Sequence, residues 1–281
     1  MPIANVGNIQ IAKKNQMSPS ISGNVLNNYD TKIGKFSKIG LQDEGCPPGM
    51  YAAYHTTTKD RIFRGARAII TLENPSVELG QYSMAQIWVQ KGQYNGLESI
   101  QAGWAVDPAL YGDSRTRLTT YWTLDNFGDT GFFNAECPGF VQVHPRIHDP
   151  GSPNLNISIF SSTTIHYHRY DSPGNTLSIK DIGPGIFSLS RYFQFGGEVY
   201  RNINKPCPPM GNGRFPNNNI SETSYIAQMQ YVTQEYNIRN TESAIMDTYT
   251  SNVGYKVVNW GNQGGNMRKT ITYGGPGGNC D

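Results

Sequence analysis

At 281 residues the chain fits one large all-β domain or two small ones. Charged residues make up only 16%, against about 25% in a typical soluble chain, and 31 Gly and 17 Pro interrupt the sequence, which disfavours long solvated helices. Hydrophobic residues at 37%, with 17 Tyr, suffice for a core, and a net charge of +2 with scattered Lys and Arg provides no basic stripe for nucleic acid.

In chain order, residues 1–45 are rich in Asn, Ser, Gly and Lys, show no sustained periodicity and read as an extended arm; residues 46–281 read as the domain proper. The opening residues lack the apolar stretch of a secretory signal. No run approaches the roughly eighteen apolar residues of a membrane-spanning helix, so the chain reads as soluble, without a membrane partner. Beyond Cys46, short alternating segments recur between turn signals, at 67–72, 82–89, 117–124, 139–143, 156–160, 164–170 and 225–232. Many of their residues are β-branched or aromatic, and Gly, Pro, Asn and Asp bound them, as in consecutive antiparallel strands. Residues 186–195 fit either one helical turn or a strand. The expected fold class is all-β: an antiparallel β-sandwich of two stacked sheets, or a barrel. No fixed-period repeat suggests a propeller or solenoid.

Common nucleophile and phosphate signatures are missing: the chain has no G-x-S-x-G, P-loop or H-E-x-x-H. His166 and His168 place two imidazoles on one strand face, but without a third ligand they read as a polar strand face, and neither metal nor organic cofactor is implied. His55, His144 and His148 carry no motif. Cys46, Cys137, Cys207 and Cys280 are too dispersed for a disulfide-dense scaffold or a CxxC zinc site, and allow two bridges in any of three connectivities. With the glycosylation sequons at Asn156 and Asn219 they lean toward an oxidising, extracellular setting.

Carboxylates are scarce, so an acid in an unusual setting is informative. Glu198 follows Gly196-Gly197 inside an apolar, aromatic segment, where glycine permits close backbone approach; the alternative is a β-bulge with the acid in solvent. Read as a strand, residues 97–104 point Gln101 and Gly103 one way and Ile100, Ala102 and Trp104 the other, leaving Gln101 on a glycine-cleared face.

The segments 65–68 (GARA), 82–89 (YSMAQIWV), 99–104 (SIQAGW), 110–113 (LYGD), 120–123 (TYWT), 137–142 (CPGFVQ), 196–199 (GGEV), 210–216 (MGNGRFP) and 273–277 (YGGPG) resemble, in order, the plant neprosin family. The resemblance runs from about Gly65 to Cys280. It implies a secreted or vacuolar glutamic endopeptidase that cleaves after proline in acid, with a cleft across one sheet where two glutamates face each other. The G-G-E motif places one of them at Glu198. The other belongs to an I-E-A-G-W motif, where this chain has Gln101. Phe132 replaces a cysteine of the family's T-G-C-Y-N-x-x-C loop, only Cys280 remains of a C-terminal pair, and the stretch between His148 and Glu198 is short and lacks a Trp-Trp pair.

Trp104, Tyr111, Tyr121 and Trp122 are candidate substrate-binding aromatics, since prolyl rings pack on aromatic faces, although each could equally be ordinary core. Two functions stay open. In the first, Glu198 activates water while the Gln101 amide stabilises the oxyanion of a peptide or protein substrate, a pairing that resembles the Gln and Glu dyad of fungal eqolisin peptidases. In the second, a catalytically inactive relative holds peptide, proline-rich or carbohydrate ligands in the same cleft.

Overall fold

The computed structural model describes residues 49–56, 62–92, 97–123, 132–134, 154–160, 164–168, 176–180, 190–202, 205–241 and 246–279. The arm expected at 1–45, the segment expected at 139–143, and Cys46, Cys137 and Cys280 lie outside them.

Among the described residues the chain forms β1 (Gly49–Thr56), β2 (Phe63–Thr71), β3 (Gln81–Lys91), β4 (Glu98–Val106), β5 (Arg117–Thr123), β6 (Phe132–Phe133), β7 (Asn154–Phe160), β8 (Thr164–His168) and β9 (Thr176–Lys180). It continues through β10 (Tyr192–Arg201), β11 (Ser224–Thr233), β12 (Ile238–Asn240), β13 (Met246–Thr250), β14 (Lys256–Asn262) and β15 (Lys269–Gly274). One antiparallel sheet has the order β13-β1-β10-β3-β4-β5-β6; the other runs β14-β15-β11-β2-β7-β8-β9, with β12 paired to β11. The two form the expected sandwich. Expected strands coincide with β2, β3, β5, β7, β8 and β11. The undecided segment at 186–195 is strand from Tyr192 onward, as the start of β10.

Period-two alternation builds the core between the sheets. The first sheet contributes Ala85, Ile87 and Val89 from β3, Ile100, Ala102 and Trp104 from β4, and Phe193, Phe195 and Val199 from β10. The second answers with Ala68 and Ile70 from β2 and Ile271 and Tyr273 from β15, while register shifts in the β11–β2 pairing bring Ile226, Met229 and Phe63 to the same core out of strict alternation. Burying each large apolar side chain contributes about 1.5–3 kcal/mol. Trp104 adds a polar tie between sheets, its Nε1 donating to the Thr71 carbonyl at 2.8 Å. Gly197 marks a close approach: a Cβ there would lie 2.6 Å from Met210 Sδ and 2.9 Å from Tyr273 Cδ2.

β4 runs into a single helical turn, α1 (Pro108–Tyr111), which starts where Asp107 caps it and stops at Gly112 with φ 75°. The Asp107 carboxylate accepts from Ala109 N at 3.0 Å and Leu110 N at 3.1 Å. Burial pushes its carboxyl up to about 6 against the pull of those two bonds. Of the two sequons, Asn219 is exposed and caps a 3-10 turn, whereas Asn156 lies within β7, paired to both β2 and β8.

Candidate active site

The register of four neighbouring strands assembles the site. Tyr51 of β1 pairs with Glu198 of β10, which pairs with Met84 of β3; Gln86 of β3 lies between Gly196 of β10 and Gly103 of β4; Trp88 pairs with Gln101, and Gln101 with Tyr121 of β5. Directly paired residues share a face. Tyr51, Tyr82, Gln86, Gln101 and Glu198 therefore all project from the outer face of the first sheet, away from the inter-sheet core. Along β3 and β10 that face is itself largely buried.

Glu198 is 6% exposed and Gln101 8%. Gln86 joins them, with its Nε2 donating to Gln101 Oε1 and to Glu198 Oε2, each at 3.1 Å. Tyr82 donates its hydroxyl to Glu198 Oε1 at 2.6 Å, and Tyr51 supplies a further side-chain hydrogen bond. On the far side, Gln101 Nε2 donates to Ser99 Oγ at 3.2 Å. Gln90 Nε2 donates to the same hydroxyl at 3.3 Å, and Gln90 Oε1 accepts from Gln194 Nε2 at 3.3 Å. A row of buried amides thus backs the pair.

The glycines make this packing feasible. A Cβ on Gly103 would lie 2.6 Å from Gln86 Cα, and one on Gly196 would lie 2.7 Å from Ala53 Cα. Gly103 leaves room beside Gln86 on β4, and Gly196 lets β10 approach β1. The β10–β3 ladder is unbroken from Tyr192 to Arg201, and the acid is buried. The bulge alternative, with its acid in solvent, is therefore set aside.

Burial pushes the Glu198 carboxyl up to about 7, with the bonds from Tyr82, Tyr51 and Gln86 pulling the other way. Tyr51 is held well above the ordinary tyrosine range, first by burial and then by the adjacent carboxylate. Among the described residues, none of the influences on Glu198 comes from a Lys, Arg or His. Among the described residues, no group of three or more His, Cys, Asp or Glu side chains is placed to hold a metal ion.

The structure brings Gln101 and Glu198 together and divides the expected aromatics. Two need correction: Trp104 and Trp122 face the inter-sheet core, at 1% and 6% exposure, because strand alternation turns them away from Gln101 and Tyr121. Tyr121 shares the Gln101 face, where it packs against Leu97 and Phe133. Tyr111 is half-buried against the Tyr82, Met84 and Ala105 cluster; Arg117 lies over its ring, and its hydroxyl meets Thr119 Oγ1 at 2.6 Å. Sequence reasoning overlooked Gln86, Tyr82 and Tyr51. Alternation along 82–89 already separates Tyr82 and Gln86 from Ala85 and Ile87, but only the register shows that they meet Glu198.

Fold and site together define a β-sandwich protein that carries a buried acid and amide on one sheet. The chain belongs to the neprosin family, whose sequence model matches residues 79–175 and 182–276, well over half its length. Among solved structures it is similar to scytalido-glutamic peptidase with a transition state analog inhibitor, at a TM-score of 0.46 and 13% identity over 80% of this chain and 97% of that one. It is also similar to the same peptidase with a peptide based transition state analog, at a TM-score of 0.42 and 10% identity over 81% of this chain and 98% of that one.

Proposed function

We propose that the protein is a glutamic endopeptidase in which Glu198 acts as general base toward water and Gln101 donates an amide hydrogen to the developing oxyanion. The observation that carries this reading is the meeting of two residues distant in sequence on one buried face, both bonded to Gln86 at 3.1 Å. Family membership supports the peptidase-like class. Water attacks the scissile carbonyl carbon, its proton passes to the Glu198 carboxylate, and the oxygen of the carbonyl takes up negative charge facing the Gln101 amide. Glu198 then returns the proton to the departing amine as the C–N bond breaks. No metal or cofactor enters this scheme. Among the described residues, Tyr111, Tyr121, the Tyr82–Tyr200 stack, with centroids 5.3 Å apart, and the Tyr51–Trp88 pair are aromatic groups on that side for a prolyl or other ring. An extracellular or vacuolar setting goes with this reading.

The amide at position 101 alters the expected pH response. Two carboxyls that share a proton can work in acid, whereas a lone base held near 7 becomes competent only as it ionises. On this reading kcat/KM rises with pH toward neutrality, and Gln101→Glu moves the profile toward acid.

The test is cleavage of a quenched proline-containing peptide between roughly pH 3 and 8. Loss of at least about 100-fold in Glu198→Gln supports the assignment; cleavage that survives that change overturns it. The amide at 101 also favours a second reading, a silent relative that grips peptide. It would be marked by a parent that binds without cutting and gains turnover as Gln101→Glu.

A further inference from the structure

We propose that Gln86 is a positioning residue: by sharing one side-chain nitrogen between Gln101 Oε1 and Glu198 Oε2, it sets which end of the Gln101 amide faces the substrate and holds the carboxyl in register with it. The inference deepens the peptidase reading, on which it rests for the roles of the two partners.

A carboxylate has two equivalent oxygens, but an amide does not. Where position 101 carries a glutamate, either rotamer of the terminal group presents the same chemistry. Where it carries a glutamine, a half-turn about the last bond exchanges a donor for an acceptor, and an acceptor facing an oxyanion repels it. The orientation of Gln101 therefore has to be fixed from outside. Gln86 fixes it by occupying the oxygen. Ser99 takes one amide hydrogen from the far side at 3.2 Å, and the second hydrogen is the donor left for a substrate.

Gln86 is suited to this because it cannot easily turn. It is 2% exposed, and its two amide hydrogens are both spent, one on each partner. Gly196 and Gly103 flank it on the two adjacent strands, so no neighbouring Cβ competes for the space its side chain crosses. Behind Gln101, Ser99, Gln90 and Gln194 continue the hydrogen-bonded row at 0%, 4% and 4% exposure.

Gln86 also helps hold the ionised acid. The polar groups facing Glu198 are Tyr82 and Gln86 from β3 and Tyr51 from β1; Tyr200, farther along β10, stacks on Tyr82, and Tyr249 of β13 acts on Tyr51. With no cation among the described residues contributing, each hydrogen bond to the carboxylate counts, and removing one from Gln86 favours the protonated form.

Gln86→Leu removes both donors with little change of volume. In the folded variant, the Glu198 carboxyl, followed by carbon-13 NMR against the Glu198→Gln spectrum, should titrate about one unit higher than in the parent. Peptide kcat should fall about 10- to 100-fold with KM within about threefold. In a Gln101→Glu background the same substitution should cost at least about threefold less in kcat, because the orientation requirement has gone. A parent-like titration in Gln86→Leu, or an equal loss in both backgrounds, overturns the proposal. If the leucine variant does not fold, Gln86→Glu replaces it, and two carboxyls at hydrogen-bond distance should then titrate in two separated steps. A single step at the parent's position overturns the proposal. A parent without turnover at any pH overturns the peptidase reading instead, and the titration still decides whether Gln86 holds Glu198.

Discussion

Glu198 is an acid whose neutral form suits its surroundings better than its ionised form. Burial raises its folded pKa to about 7, above that of an ordinary glutamate, so between those values the folded chain keeps a proton that the unfolded chain has lost. Its favourable contribution to stability is complete below roughly pH 4 and disappears as the pH rises through the folded value. Glu198→Gln, which cannot ionise, should melt close to the parent in acid and above it at neutral and alkaline pH, by up to roughly 3 kcal/mol. Melting curves from acid to mildly alkaline pH check this; a constant gap between variant and parent would show that Glu198 is not held neutral by burial. Trp104 makes the opposite kind of statement. As a core residue with a bond to the Thr71 carbonyl, Trp104→Phe should lose about 2–3 kcal/mol in urea unfolding while KM changes less than about twofold. A wall of the substrate site would show the reverse.

At the scale of strands, the site depends on how β10, β3 and β4 line up. The two glycines beside Gln86 let those strands sit as they do. Gly103→Ala would put a Cβ 2.6 Å from Gln86 Cα, and since the obstacle is backbone, a whole strand must move. A loss of about 3 kcal/mol, together with most of the activity, is expected. Gly112 is the control: it has φ +75° but open space around it, so Gly112→Ala should cost roughly 1–2 kcal/mol and leave turnover intact. Equal costs in urea unfolding would mean that close packing at Gly103 does not hold the register. Elements with clean alternation were readable in the sequence, and β3, β5, β7 and β11 follow it closely. β12, β13 and β14 were not, because mostly exposed strands carry little apolar alternation. Alternation in 97–104 put Ile100, Ala102 and Trp104 on the face opposite Gln101; the structure turns that face to the core, and the same parity excludes Trp104 from the site.

For the molecule as a whole, strand count and turn chemistry narrowed the fold to a sandwich or a barrel, because few other architectures bury so many short alternating segments, and the two open sheets decide for the sandwich. The partners of the site were not. Pairing distant strands is a tertiary choice, and one residue of slippage would have turned Gln86 into the core. Glu198 and Gln101 could be singled out from their glycine-rich settings, whereas Tyr51, Tyr82 and Gln86 look like ordinary strand residues until β1, β3 and β10 lie side by side.

The residue immediately before the acid, Gly197, has no side chain and leans on Met210 and Tyr273 of the opposite half. The thickness of the sandwich is thereby transmitted to the reacting groups. A bulkier substitution at Tyr273, on a strand that never touches substrate, would lift Glu198 as a wedge lifts a plank. The two layers therefore cannot drift apart in sequence independently of each other, even though only one of them carries Glu198 and Gln101.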